Sequence, residues 1–81
     1  SSHLKLKIFP NPCTDRILIE SATTFNTYSI MNINGTILKS EKLNSNTLIT
    51  SIELNNFSTG TYYITIPTLN GNIIETFQIS K

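Results

Sequence analysis

The chain has 81 residues and a mass of 9.1 kDa, enough for one small domain with a thin core. Charged residues make up only 14% of it and the net charge is +1, so Asn, Ser and Thr take the surface places usually held by Lys and Glu. Six cations scattered among five carboxylates exclude the one-sided basic face of a nucleic-acid binder or of a domain drawn to anionic lipid, and no apolar run approaches the length of a spanning helix.

A polar, weakly charged surface suits a secreted or cell-surface module. The sequence carries neither a signal peptide nor an initiator Met, so it is expected to be an excised piece of a longer protein. Ser1-Ser2-His3 is set apart as linker or cloning residue, leaving residues 4–81 as the domain.

The apolar pattern has a period of two throughout. Leu4, Leu6 and Ile8 alternate with Lys5 and Lys7, giving a first strand with one wet face. Phe9-Pro10-Asn11-Pro12 follows. Its prolines lack backbone donors and press the preceding residues toward extended geometry, so this is a stiff, non-repetitive lead-in at the start of a β domain. Arg16 to Glu20 forms the second strand and Tyr28 to Ile33 the third. Asn34-Gly35 is the pair favoured by a two-residue type I′ hairpin, and Thr36 to Ser40 is the returning strand.

Glu41 to Thr47 is polar and Asn-rich and reads as a loop, after which Leu48 to Leu54 resumes the extended pattern. Asn55 to Gly60 turns the chain into Thr61–Ile66, where Tyr62, Ile64 and Ile66 alternate with Tyr63 and Thr65. Pro67 is expected to end that strand, because it cannot donate to a ladder. Asn70-Gly71 is the second hairpin signal, and Asn72 to Ile79 is the last strand. About seven short strands with regular turns predict an all-β fold, a small immunoglobulin-like antiparallel β-sandwich. Gly60-Thr61-Tyr62 supports that architecture, because a Tyr in this position can return its hydroxyl to upstream backbone.

Residue types that carry chemistry are sparse. The single His3 lies in the N-terminal stretch and the single Cys13 has no partner for an internal disulfide, so Cys13 reads as a loop thiol without a role. One Cys and one His cannot close a zinc site, and Asp15, Glu20, Glu41, Glu53 and Glu75 lack calcium-loop spacing. Asp15 with Asn11 is the remaining possibility for a calcium, and Glu53 with Glu75 for a glycosidase pair; a solvated strand face is the better home for both Glu residues. Asn34-Gly35-Thr36 and Asn56-Phe57-Ser58 match the short glycosylation pattern. With no Trp, the aromatic residues Phe9, Phe25, Phe57, Phe77, Tyr28, Tyr62 and Tyr63 are all needed for the core, Tyr63 being the one candidate for an exposed ring. No enzyme activity, cofactor or metal is expected.

The order of these pieces resembles a known family. Phe9-Pro10-Asn11-Pro12-Cys13-Thr14-Asp15-Arg16-Ile17-Leu18-Ile19, the Asn34-Gly35 hairpin, Ile52-Glu53-Leu54, Phe57-Ser58-Thr59-Gly60-Thr61-Tyr62, and Gly71 before a final strand running to Lys81 are together similar to the type A C-terminal sorting domain of type IX secretion substrates. Phe57 stands where the family usually has Leu, and Glu75-Thr76 where a Lys is common. The resemblance implies a secretion address on a covalently fused cargo of a Bacteroidetes-type bacterium. The cargo crosses the periplasm, the outer-membrane translocon and a shuttle read the folded domain, and a surface sortase typically removes it, leaving cargo at the cell surface or outside. It implies Pro10, Asn11, Pro12, Asp15, Gly35, Gly60, Tyr62, Gly71 and Lys81 as the matched residues, a monomer, and a last strand whose edge is open to β-augmentation. A spacer or adhesive domain and a carbohydrate-binding module are the competing expectations.

Overall fold

Ile17, Ile19, Ser21 and Phe25 are buried on odd-numbered positions, and Tyr28 and Ile30 on even ones, although all six belong to one strand. Side chains alternate strictly along a strand, so the inward face must change phase between Phe25 and Tyr28. In the computed structural model, which describes residues 6–68 and 71–81, the pairing register slips at that place. The strands are β1 (Leu6–Phe9), β2 (Arg16–Asn32), β3 (Ile37–Glu53), β4 (Gly60–Thr68) and β5 (Gly71–Ile79). Shifts flank Phe25 on both sides, and such irregularities bend a strand and let it cross from one layer of a sandwich to the other.

The bend explains the topology. Along one edge of β2, β1 pairs beside residues 18–21 and β4 beside residues 29–32; β3 lines the opposite edge, pairing on both sides of the bend. β5 pairs with β4, and every strand pair is antiparallel. One layer is therefore β1 with the first half of β2 and the second half of β3. The other is the first half of β3, the second half of β2, β4 and β5. Ile17, Ile19 and Ile52 from the first layer form one core with Ile30, Ile64, Ile66, Phe77 and Ile79 from the second.

The all-β, antiparallel, sandwich-like fold follows the sequence pattern; the strand count does not. Five strands carry the seven expected segments, because residues 21–27 and the expected loop 41–47 remain extended. Threonine and serine in those stretches tolerate extended backbone without needing a buried face. Pro67 does not end β4 but lies within it, opposite Asn72. Gln78 turns its main-chain groups away from β4, and the unbroken register gives Asn72 the same orientation, so no ladder bond asks for the N–H that Pro67 lacks.

The Asn34-Gly35 hairpin also differs from expectation. Gly35 alone has a positive φ of 87°, whereas a type I′ turn requires Asn34 to be positive as well. The Gly35 N–H donates to the Asn32 carbonyl at 3.0 Å, which makes a turn over 32–35 with the left-handed residue after its centre. The Asn32 side chain accepts from the N–H groups of Asn34 and Thr36 at 2.9 and 3.0 Å, stabilising this longer connection. Phe9 is exposed rather than part of the core, and Tyr63 is half-buried. His3, Leu4 and Lys5 lie outside the described residues, as does the Asn70 half of the second hairpin.

Candidate functional site

The Pro-Asn-Pro segment does not lead into the domain from outside it. β1 precedes it and is already part of the sheet, so Pro10 to Asp15 is an internal connection from β1 to β2. Both the Phe9–Pro10 and Asn11–Pro12 peptide bonds are cis. The connection runs along the outer edge of the end of β5, forming a parallel bridge between Cys13 and Ile79. The Cys13 N–H donates to the Gln78 carbonyl at 3.0 Å, and the Ser80 N–H to the Cys13 carbonyl at 2.7 Å. Asn11 completes the contact, its Oδ1 accepting the Gln78 N–H at 3.1 Å.

A second segment grips the same terminal residues from another side. The Lys81 ammonium donates to the carbonyls of Leu54 and Asn55 at 3.0 and 3.1 Å, and the Lys81 N–H to Thr59 Oγ1 at 3.0 Å. The Leu54 N–H donates to the Asp15 carbonyl at 2.8 Å, tying this loop to the first one. Tyr62 fixes the loop's far end. Its hydroxyl donates to the Ser58 carbonyl at 2.7 Å, the corner bond expected from Gly60-Thr61-Tyr62. The Tyr62 ring meets Phe57 edge-on at 5.3 Å and stacks on Phe77 at 5.9 Å.

Most matched residues therefore converge. Asn11, Asp15, Tyr62 and Lys81 hold the three segments together, with Pro10 and Pro12 exposed beside Asn11. At Gly60 a Cβ would lie 3.7 Å from the Tyr62 ring, an ordinary contact, so packing does not require glycine there. Gly35 sits in the β2–β3 hairpin, and its left-handed φ accounts for it without any contact to these three segments. Gly71 is not brought in: with a φ of 122° it opens β5 opposite Thr68 in the other hairpin.

Several contributors had no sequence signature, because Leu54, Asn55, Ser58 and Gln78 act through main-chain groups. Cys13 is the exception. It is 1% exposed, a core residue rather than an idle loop thiol, and it continues the odd-numbered inward phase of Ile17 and Ile19. Burial pushes its thiol above the ordinary value, with a backbone hydrogen bond opposing and the Asp15 charge reinforcing.

The expected edge of the last strand is also partly closed, since residues 11–13 occupy it beside Gln78 and Ser80. Glu53 is paired with Arg16 at 3.1 Å on an exposed face of the first layer, whereas Glu75 lies on β5 in the second. Among the described residues no three His, Cys, Asp or Glu side chains gather as a metal site. The arrangement joins residues from both ends of the domain through hydrogen bonds.

A family model for the secretion system C-terminal sorting domain matches residues 7–80. The chain belongs to the type IX sorting domain family. Membership makes this sorting domain a C-terminal signal for type IX secretion, acting with that machinery on a fused upstream cargo and directing it to the cell surface or the extracellular space. No curated protein matches the chain. The match starts within β1 and runs one residue past β5, so it reaches every strand and the segments joined at this end of the domain, stopping just short of Lys81.

Proposed function

We propose that the clasped end, formed by residues 10–15, 54–62 and 78–81, is the surface that the translocon and its shuttle read during passage from the periplasm. A surface sortase then cuts upstream of β1 and leaves the cargo anchored or released. The observation that carries this reading is the Asn11–Gln78 bond, together with the grip of Lys81 on the 54–55 carbonyls, which turns matched residues from opposite ends of the sequence into one surface. The domain acts by shape, as a non-catalytic ligand. Leu6 pairs with Ser21 beside the bend, away from the clasp, so a protease can approach the junction with the cargo while the signal stays folded.

Fusing residues 4–81 behind a reporter with a secretory signal peptide, in a host that has the type IX pathway, tests the proposal. The reporter is expected at the surface or in the medium, trimmed of the domain. A folded fusion retained in the periplasm overturns it.

A further inference from the structure

At the end of β5 the main-chain groups that would receive an added strand are already used. The Gln78 N–H is on Asn11 and its carbonyl is on the Cys13 N–H; the Ser80 N–H is on the Cys13 carbonyl. The β4 ladder stops at Gly60 opposite Ile79, so Ser80 and Lys81 depend on these lateral bonds and on Thr59, Leu54 and Asn55. The Asn11 bond spans 67 positions of sequence and the Lys81–Thr59 bond 22, so neither forms until distant parts of the chain have folded together.

From this geometry we propose that Asn11 is a positioning residue of the sorting signal. By holding the Gln78 N–H it fixes residues 78–81 in one conformation, and the secretion machinery reads them as a preformed shape rather than by adding a strand. The inference rests on the proposal that the clasped end is what the machinery reads. Ordering the segment in advance removes the entropy of ordering it from the cost of binding. It also makes reading conditional on folding, because a part-folded chain lacks the Asn11–Gln78 bond. A short side-chain acceptor between two prolines suits the task, since the rings restrict the backbone that carries it. Neither Asn11 nor Lys81 then has to touch the receptor through the atoms that make the latch.

The test pairs amide exchange in the 81-residue chain with export of the same chain behind the reporter, for wild type, Asn11→Ala and Asn11→Asp. Loss of one hydrogen bond is expected to speed exchange at Gln78 about tenfold in Asn11→Ala, while Ile64 and Ile66 in the core stay protected. Export falls with it, and Asn11→Asp, which keeps an acceptor oxygen, restores both. Normal export of an Asn11→Ala chain with a loosened end overturns the proposal. So does loss of export in both variants with Gln78 still protected, which would mark Asn11 as a direct contact. If Asn11→Ala fails to fold, Thr59→Ala loosens Lys81 from the other flank with Thr59→Ser as the rescue, and undiminished export of a loosened Thr59→Ala chain counts equally against it. A wild-type fusion that is not exported at all removes the sorting-surface reading itself, a result distinct from wild-type export that is indifferent to the latch.

Discussion

The Tyr62 hydroxyl donates to the Ser58 carbonyl at 2.7 Å, four residues upstream, and closes the corner through which the chain enters β4. The ring beneath it is held between Phe57 and Phe77, so hydrogen bonding and packing meet in one side chain. Tyr62→Phe keeps the ring contacts and loses the hydroxyl's bond to the Ser58 carbonyl and its longer 3.4 Å contact with Ser58 Oγ, an expected cost of about 1 kcal/mol. Tyr62→Ala also leaves a cavity and is expected to cost about 3–5 kcal/mol. Urea midpoints of the two variants separate the contributions; a Phe variant as stable as wild type would show that the corner bond contributes nothing net.

The glycines at 35 and 60 are expected to behave differently, although the sequence pattern singles out both. Gly35 has open space around it, but its φ of 87° is unfavourable for an L side chain, so Gly35→Ala is strained by its backbone alone. A loss of about 1 kcal/mol or more is expected there. At Gly60 the φ is outside the left-handed range and an added Cβ meets the Tyr62 ring at 3.7 Å, so Gly60→Ala is expected to stay within about 0.5 kcal/mol of wild type. Denaturation of the two single variants decides it, and equal costs would refute the distinction.

Local rules carried the sequence reading as far as local rules reach. The alternation of Tyr62, Ile64 and Ile66 with Tyr63 and Thr65 placed the inward face of β4 correctly, and Gly-x-Tyr pointed to a corner bond that is present. The continuous bend of β2 and β3 was not legible, because Thr23, Thr24, Asn26 and Asn44–Asn46 have the composition of a loop, and the pairs that carry the strands through it, Phe25 with Thr47 and Thr27 with Lys42, join residues distant in sequence. The Pro-Asn-Pro segment was recognisable as a rigid element. Its partner was not: Asn11 bonds to the main chain of Gln78, and a main-chain N–H leaves no trace in residue identity. Lys81 was matched as a residue of the signal, but its acceptors, the carbonyls of Leu54 and Asn55, are equally anonymous.

β3 pairs only with β2 among the described residues, and its outer edge carries the exposed Ile37, Leu38, Leu48 and Ile49. Lys39, Glu41 and Lys42 interrupt that apolar run in its first half, as charges on an edge strand do when they discourage pairing with another chain. The second half, around Leu48 and Ile49, has no charge until Glu53. Leu48→Lys is therefore expected to slow aggregation in concentrated solution while changing stability by less than about 0.5 kcal/mol. Lys42→Ile is expected to accelerate it. Light scattering at matched concentration reads both, and aggregation unaffected by either substitution would place the sticky edge elsewhere.

Alkaline pH is expected to weaken the fold through two buried acids. Burial pushes the Tyr28 phenol up to about 12, with the Glu41 charge, opposite it in the β2–β3 pairing, adding to the effect. Burial likewise raises the Cys13 thiol above its ordinary 9.0. Both groups are neutral in the folded protein at pH values where the unfolded chain already ionises. Their contribution is thus complete below the unfolded values, near 9 for Cys13 and 10 for Tyr28, and is lost as pH rises through the folded ones. Stability should fall between the ordinary tyrosine value of 10 and the raised value of about 12. Tyr28→Phe is expected to remove that upper fall, and Glu41→Gln to lower the Tyr28 value by taking away the charge that raises it. Cys13→Ala should flatten the earlier onset, at the cost of a small core vacancy. Urea midpoints across the alkaline range provide the check. If Tyr28→Phe loses stability with pH as steeply as wild type, the alkaline loss belongs to some group other than the buried phenol.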